Sequence, residues 1–225
     1  MAIGPRLAAC PTTSSWNQFA AWTEMLTEAL RNRQVNVQTT ASDQELLARM
    51  IGGEEDAFTA LYRRRQAAVY RFAIQMTGNV VVAEDVTQEV FMALIEHARR
   101  FDAERGSVAS FLYGIARNLV LRRLERDRGN SGLDAAAEEI AGGEDLLEDL
   151  TRRETVDQVR RAVLSLPPVY REAVVLCDLQ DTSYEDAAAA LDCPVGTVRS
   201  RLNRGRSMLA QKLRGAKASA VALGA

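Results

Sequence analysis

Apolar residues recur along this chain at helical spacing over most of its length. Phe58, Leu61, Tyr62, Val69, Phe72 and Met76 follow one another at three-, four- and seven-residue steps, which places them on one stripe of an amphipathic helix. That helix is predicted from Glu54 to Thr77, with Tyr62 at the rim of the stripe and Gly78-Asn79 as its stop. Before it, Ser42 and Glu45 have the spacing of a capping box and open a short helix that reaches Ile51, where Gly52-Gly53 breaks it. A further helix is predicted over residues 81–100. Ala83, Val86, Val90, Leu94 and Ala98 face inward, and Asp85, Gln88, Glu89, Met92 and Glu96 fall on the other side. A third long helix runs from about Ser107 to Asp127, with Val108, Phe111, Leu112, Ile115 and Leu119 as its stripe. Three helices with short joints predict one small bundle.

The pattern resumes near Glu154. Val156, Val159, Val163 and Leu166 form a stripe that Pro167-Pro168 ends, and Val169, Ala173, Val174 and Cys177 continue the apolar side in the next helix. Ser183 and Asp186 then cap a short alanine-rich helix, and Pro194 and Gly196 mark a turn into another. In this last helix Val198, Leu202, Leu209 and Leu213 share one face. Ser200, Asn203, Arg204 and Gln211 lie opposite, with Arg199 and Arg201 on the flanks. The predicted fold class is all-α: two small helical domains joined by a flexible acidic linker, the C-terminal one a helix-turn-helix.

Charge sharpens this division. The chain of 225 residues carries a net charge of −2. Residues 41–128 balance 13 acids against 13 bases, residues 129–153 hold seven acids and two bases, and residues 154–225 hold ten bases and eight acids. The middle piece is glycine-containing, acidic and free of aromatics, and reads as a linker with at most a transient helix near Leu146. In the last piece every acid lies at or before Asp192, so residues 193–217 carry seven basic side chains and no acidic one. An apolar back and a basic, polar front on one helix suit the major groove of DNA, where Arg makes paired bonds to guanine and other bases hold phosphates.

Other chemistry is sparse. Cys10, Cys177 and Cys193 lack metal-ligand spacing and read as reduced thiols of a cytosolic protein. His97, the only histidine, reads as a polar helix position. There is no P-loop, no glycine-rich nucleotide fingerprint, no metal cluster and no activated nucleophile, so neither an enzyme nor a cofactor is expected. No apolar run approaches the ~20 residues of a membrane span, and a secretory signal is not expected, since one early Arg is followed by no continuous apolar core. The expected location is cytoplasmic. Residues 1–40 hold both tryptophans and a helical pattern from about Ser15 to Arg33, with Trp16, Phe19, Leu26 and Leu30 near one side. They read either as a regulatory helix or as a loose leader, with Met25 or Met50 as alternative starts.

"LPPVYREAVVLCDLQDTSYEDAAAALDCPVGTVRSRLNRGRSMLAQKL" closely resembles the fourth-region domain of bacterial extracytoplasmic-function sigma factors, and "GTVRSRLNRGR" is its most specific part. "AEDVTQEVFMALIEHARRFDAERGSVASFLYGIARNLVLRRLER" is similar to the second region of the same family. Three departures are visible. Ala187 stands where the family commonly has a larger aliphatic residue, Phe111 where a Trp is common, and Gly114 where a basic residue is frequent. The resemblance implies a factor that binds core RNA polymerase, reads −35 and −10 promoter elements and assists DNA opening in stress-responsive transcription. It implies promoter DNA and an anti-sigma factor as further partners, and no membrane insertion.

By the same resemblance, residues 41–128 form the second-region domain, 129–153 the linker, 154–214 the fourth-region domain and 215–225 a tail. Thr197, Arg199, Ser200, Arg201, Asn203 and Arg204 are expected at the −35 element. Arg105, Tyr113, Arg117 and Asn118 are expected at the −10 element, around a pocket in loop 99–107, where an extruded base can be stacked and bonded. Asp85, Gln88, Glu89 and Met92 are expected to hold the polymerase. A conventional DNA-binding regulator and a sigma-like decoy are the competing readings; polymerase-dependent DNA binding and run-off transcription separate them.

Overall fold

The computed structural model describes the backbone of residues 41–130 and 148–223. The helix expected within residues 1–40, and most of the expected linker, lie outside the described residues. Among the described residues every regular element is helical.

The first block is built by its caps. Helix α1 (Asp43–Ile51) opens on the reciprocal pair expected of Ser42 and Glu45: the Glu45 N–H donates to Ser42 Oγ at 3.2 Å, and the Ser42 N–H donates to the Glu45 carboxylate at 2.6 Å. Asp43 in its first turn is gripped by Arg64 and Arg65 of the next helix. Gly53 turns the chain at φ +93°, and α2 (Glu55–Thr77) runs to Gly78, whose left-handed φ of +71° closes it with a 2.8 Å bond to the Ile74 carbonyl. The Asn79 side chain caps α3 (Val80–His97) by accepting from the Val82 N–H at 3.0 Å. The last predicted turn, Ala98–Arg100, tightens to 3-10 geometry. Helix α4 (Val108–Asn130) follows.

The α2 stripe is buried as expected, and Tyr62, expected at the rim, joins it. Its ring and that of Phe58 pack against Phe91 of α3, a residue outside the predicted stripe. Helix α4 departs further from the pattern. Val108 and Leu112 are buried, but Phe111, Ile115 and Leu119 are only half-buried, and Tyr113, Ala116 and Val120 are interior instead. The reason is that α4 is covered from two directions, by the first bundle and by the second block, so a single stripe does not describe it.

The second block starts with α5 (Glu148–Leu164). Pro168 occupies the first turn of α6 (Pro168–Val174), which widens into an i→i+5 segment, Val175–Leu179, with the Gln180 N–H bonded to the Val175 carbonyl at 3.0 Å. Ser183 caps α7 (Tyr184–Leu191), accepting from the Asp186 N–H at 3.0 Å, and Asp192 ends it at φ +48°. Helix α8 (Val195–Leu223) completes the helix-turn-helix. It lies so close to α6 that a Cβ on Gly205 would stand 2.6 Å from a Val174 methyl and 3.3 Å from the Tyr170 carbonyl. Two predicted stripe residues, Val156 and Val169, are exposed, whereas Glu172 is 1% exposed.

The blocks touch along two lines. Helix α5 packs on the end of α2, where a Gly78 Cβ would meet the Leu164 side chain at 2.7 Å. Here Arg171 donates to the Met76 carbonyl, and Gln180 donates to Gln75 at 2.9 Å. Helix α7 packs on α4, with Ala190 against Gly114.

Gly205 makes the α6–α8 approach testable. Gly205→Val is expected to lower the unfolding free energy by about 1–3 kcal/mol through overpacking. Gly196→Ala, with nothing within 4 Å of the added carbon, is expected to hold or raise it. Urea denaturation followed by circular dichroism measures both.

Candidate functional site

The outward front of α8 carries a run of exposed hydrogen-bond donors. Val198 and Leu202 anchor its back in the core, which leaves Arg199, Ser200, Asn203 and Arg204 exposed and Thr197 half-buried. Two tyrosines hold the arginines upright. The Arg199 guanidinium lies over the Tyr184 ring, 5.5 Å from its centre, and Arg204 donates to the Tyr170 hydroxyl at 3.5 Å. Ser200 Oγ turns inward to the Thr197 carbonyl at 2.9 Å. Arg206 forks onto Asp178 at 2.5 and 3.1 Å. That bond and the carboxylate's charge push the Arg206 pKa up, so this arginine is a structural partner of the i→i+5 segment. Each held arginine has more N–H groups than these contacts use, the equipment for paired bonds to a base edge or phosphate.

Arg201 behaves differently. It turns back to the buried Glu172, Nη1 to Oε1 at 3.2 Å, and Arg117 of α4 reaches the same carboxylate, Nε to Oε2 at 2.7 Å. A carboxylate taken out of water needs such pairing. Glu172 was not anticipated; the legible signal is a lone acid inside an apolar helical stretch. Nearby, the Ser107 N–H donates to Asp186 Oδ1 at 3.2 Å, and Arg105 meets Asp192 at 3.4 Å in the open. Partial burial opposes ionisation of Asp186, but the bonds from Ser107, Ser183 and Ser110 outweigh it and hold its pKa below the usual carboxylate value.

The four residues expected around loop 99–107 therefore part company. Arg105 and Asn118 are exposed, Arg117 is engaged with Glu172, and Tyr113 is only 6% exposed. Tyr113 packs on Phe72 with ring centres 5.5 Å apart, and burial raises its hydroxyl pKa. Its expected place in an open site is corrected: helical phase turns it into the core. Phe111, expected in the core, is the half-buried ring, edge-on to Phe101 at 5.7 Å.

On α3 the predicted outer face is as expected: Asp85, Gln88 and Glu89 are exposed and Met92 is half-buried. Val81 at 58% and Ile95 at 39% exposure extend it as an apolar-acidic stripe. Arg123, not anticipated, crosses from α4 to Glu89 at 2.7 Å and Asp85 at 4.0 Å. One of its nitrogens, Nη1, is buried without a partner. His97 is a part-exposed neighbour of Glu96. Cys177 and Cys193 are half-buried free thiols, and Cys10 lies outside the described residues. Burial, with the Asp178 charge, pushes the Cys177 pKa up to about 11 against the pull of Arg206. Among the described residues no His/Cys/Asp/Glu group could hold a metal, and no helix is long and apolar enough to cross a membrane.

Comparison with known proteins fits this layout. Residues 61–129 match the family model for Sigma-70 region 2, and residues 157–209 match Sigma-70, region 4. The chain is 33% identical to the ECF RNA polymerase sigma factor SigW of Bacillus subtilis over 72% of this chain and 91% of that protein. It is 35% identical to the ECF RNA polymerase sigma-E factor of Escherichia coli over 76% of this chain and 94% of that protein. Among solved structures it resembles CnrH in complex with the cytosolic domain of CnrY (25% identity, TM-score 0.60, covering 77% of this chain and 97% of that one). It also resembles the sigma factor RpoE of Bartonella quintana, co-crystallised with the anti-sigma factor NepR (27% identity, TM-score 0.56, covering 70% and 96%).

The thiol environment yields a direct expectation. With Cys10 and Cys193 replaced by Ser, Cys177 in the folded protein at about pH 7.5 should react with iodoacetamide at least about tenfold more slowly than in urea, because only the thiolate attacks. Mass spectrometry of alkylated protein measures this; equal rates would remove the buried, acid-flanked environment.

Proposed function

The chain belongs to the ECF RNA polymerase sigma-factor family, and from that premise we propose which of its surfaces meet polymerase and promoter. It binds core RNA polymerase, directs it to a two-part promoter and assists opening, while the polymerase supplies the catalysis. The observation that carries the DNA assignment is the α8 front, where Tyr184 and Tyr170 hold Arg199 and Arg204 outward beside Asn203. Laid in the major groove, Arg199, Asn203 and Arg204 read base edges of the −35 element, with Thr197, Ser200 and Arg201 at the backbone. Prepositioned side chains lose less freedom on binding, which favours affinity.

At the −10 element the DNA is handled as a single strand. Arg105 in loop 99–107 and Asn118 on α4 are available to a phosphate and a base edge, and Arg117 joins them when it leaves Glu172. Tyr113 supports this site from the core side rather than by stacking on a base. The domain limits at residues 41–128 and 154–214 divide these two tasks, and the acidic residues between them mimic a phosphate chain in sign within polymerase channels.

The α3 stripe docks the polymerase: Asp85, Gln88 and Glu89 face basic helices of the large subunit, around an apolar centre of Val81, Met92 and Ile95. Arg123 holds both acids in place and tempers their charge. An anti-sigma partner is part of this reading, supported by the RpoE–NepR relative.

Run-off transcription with purified core polymerase on genomic DNA is expected to show new, defined start sites; none would appear for a decoy. The double variant Asp85→Lys/Glu89→Lys should weaken core binding at least about tenfold, read by fluorescence anisotropy of labelled protein; unchanged affinity removes this face from the interface. Arg199→Ala should reduce discrimination between cognate and altered −35 sequences by about 1–3 kcal/mol while leaving core binding intact.

A further inference from the structure

We propose that helix α8 continues past its base-reading turns as a grip on the DNA backbone beside the −35 element, with Arg214 as its contact to phosphate. The proposal rests on the reading of α8 as the −35 helix and adds a sequence-independent stretch to it. The match to Sigma-70, region 4 stops at residue 209, yet the α8 backbone stays helical to Leu223. The side chains assigned to the −35 element end at Arg204, but the face that carries them does not. Asn203, Ser207, Gln211 and Arg214 follow one another at steps of four, four and three residues, and all four are exposed. That spacing sets them in one line along the same side of the helix. The opposite side keeps its apolar character, with Leu202 buried and Leu209 and Leu213 half-buried. The line is also free of acids, because every acid of the chain lies at or before Asp192.

The chemistry changes along this line. In the first turns Arg199 and Arg204 are planar forks set by two tyrosines. Further on, Ser207 Oγ donates to the Asn203 carbonyl of its own helix at 3.0 Å, and Arg206 is forked onto Asp178. Arg214 has no hydrogen bond or ion pair among the described residues, so its guanidinium is the cation this stretch has to offer. At 1.5 Å per residue it stands about 16 Å along the axis from Asn203. The major groove winds around the duplex and a single α-helix does not follow it. A helix whose N-terminal turns lie on base edges therefore meets the sugar-phosphate wall further along. A cation there touches phosphate, which carries no sequence information, so the contact adds affinity at any sequence and deepens the dependence on salt. Lys212 supplies an internal contrast. It is exposed and only two residues from Arg214, but lies about 160° away around the helix, off the reading line.

The test uses the full chain and a fluorescein-labelled duplex of mixed sequence, about 30 base pairs long, read by anisotropy between about 50 and 200 mM salt. Arg214→Gln is expected to make the plot of log affinity against log salt shallower by about 0.9, the share of one phosphate, so that its loss at the low-salt end exceeds that at the high-salt end by about threefold. Arg214→Lys, which keeps the point charge, should restore the parent slope. Lys212→Gln removes the same charge from the far side and should move the slope less than half as far. Circular dichroism checks that each variant keeps its helicity. Equal slopes for Arg214→Gln and the parent, or equal changes for Arg214→Gln and Lys212→Gln, overturn the grip: the first shows no contact, the second only a general field. Weaker binding of Arg214→Gln to core polymerase, with the DNA slope unmoved, gives this face to an acidic protein surface and overturns it too. Arg204→Gln on the same probe separates the two levels of the argument. A slope moved by Arg204→Gln and not by Arg214→Gln removes the extended contact and leaves α8 as the DNA helix; slopes moved by neither remove both.

Discussion

The arrangement turns on one carboxylate denied water. Glu172 sits at the junction of α4, α6 and α8, where an ionised acid is tolerated only because guanidinium groups approach from both sides. Those two arginines come from helices far apart in sequence. Their convergence sets how α6 meets α8 within the second block and how α4 meets both. Charge-assisted forks of this kind fix orientation as well as proximity, and an apolar contact in the same place would not specify which faces meet.

Around this junction the helices come close because their side chains are small where they cross. Gly205 lets α8 lie on α6, Gly78 lets α5 reach the end of α2, and Gly114 faces Ala190 across the α4–α7 crossing. Interior packing at near-crystalline density makes such positions sensitive to single carbon atoms. Two of the chain's departures from its family's usual pattern, Gly114 and Ala187, fall on these crossing helices.

Charge follows the same economy of placement. Acids and bases nearly cancel over the chain, yet α3 carries four acids and no Lys or Arg, while α8 carries seven bases and no acid. Aromatic rings and neighbouring carboxylates hold the long arginine side chains in defined directions. A protein that must touch a polymerase on one side and DNA on another needs opposite fields on separate helices, each backed by an apolar core.

The sequence by itself determined the helices, their caps and the two charged faces. Helical period, the Ser42–Glu45 and Ser183–Asp186 caps, and the proline and glycine stops are local signals, governed by bonds within a few residues, and they were readable at that range. The outward sets on α3 and α8 followed from the same phase, because a face opposite a buried stripe is exposed. The tertiary structure alone decided which side of α4 is interior, that Tyr113 rather than Phe111 is the core aromatic, and that Val156 and Val169 are uncovered. It also decided that Arg117 and Arg201 share Glu172. These outcomes depend on which distant helix covers a given face, and periodicity carries no information about a partner some fifty residues away. Burial of a charge in particular is settled only when its counter-charge arrives from elsewhere in the chain.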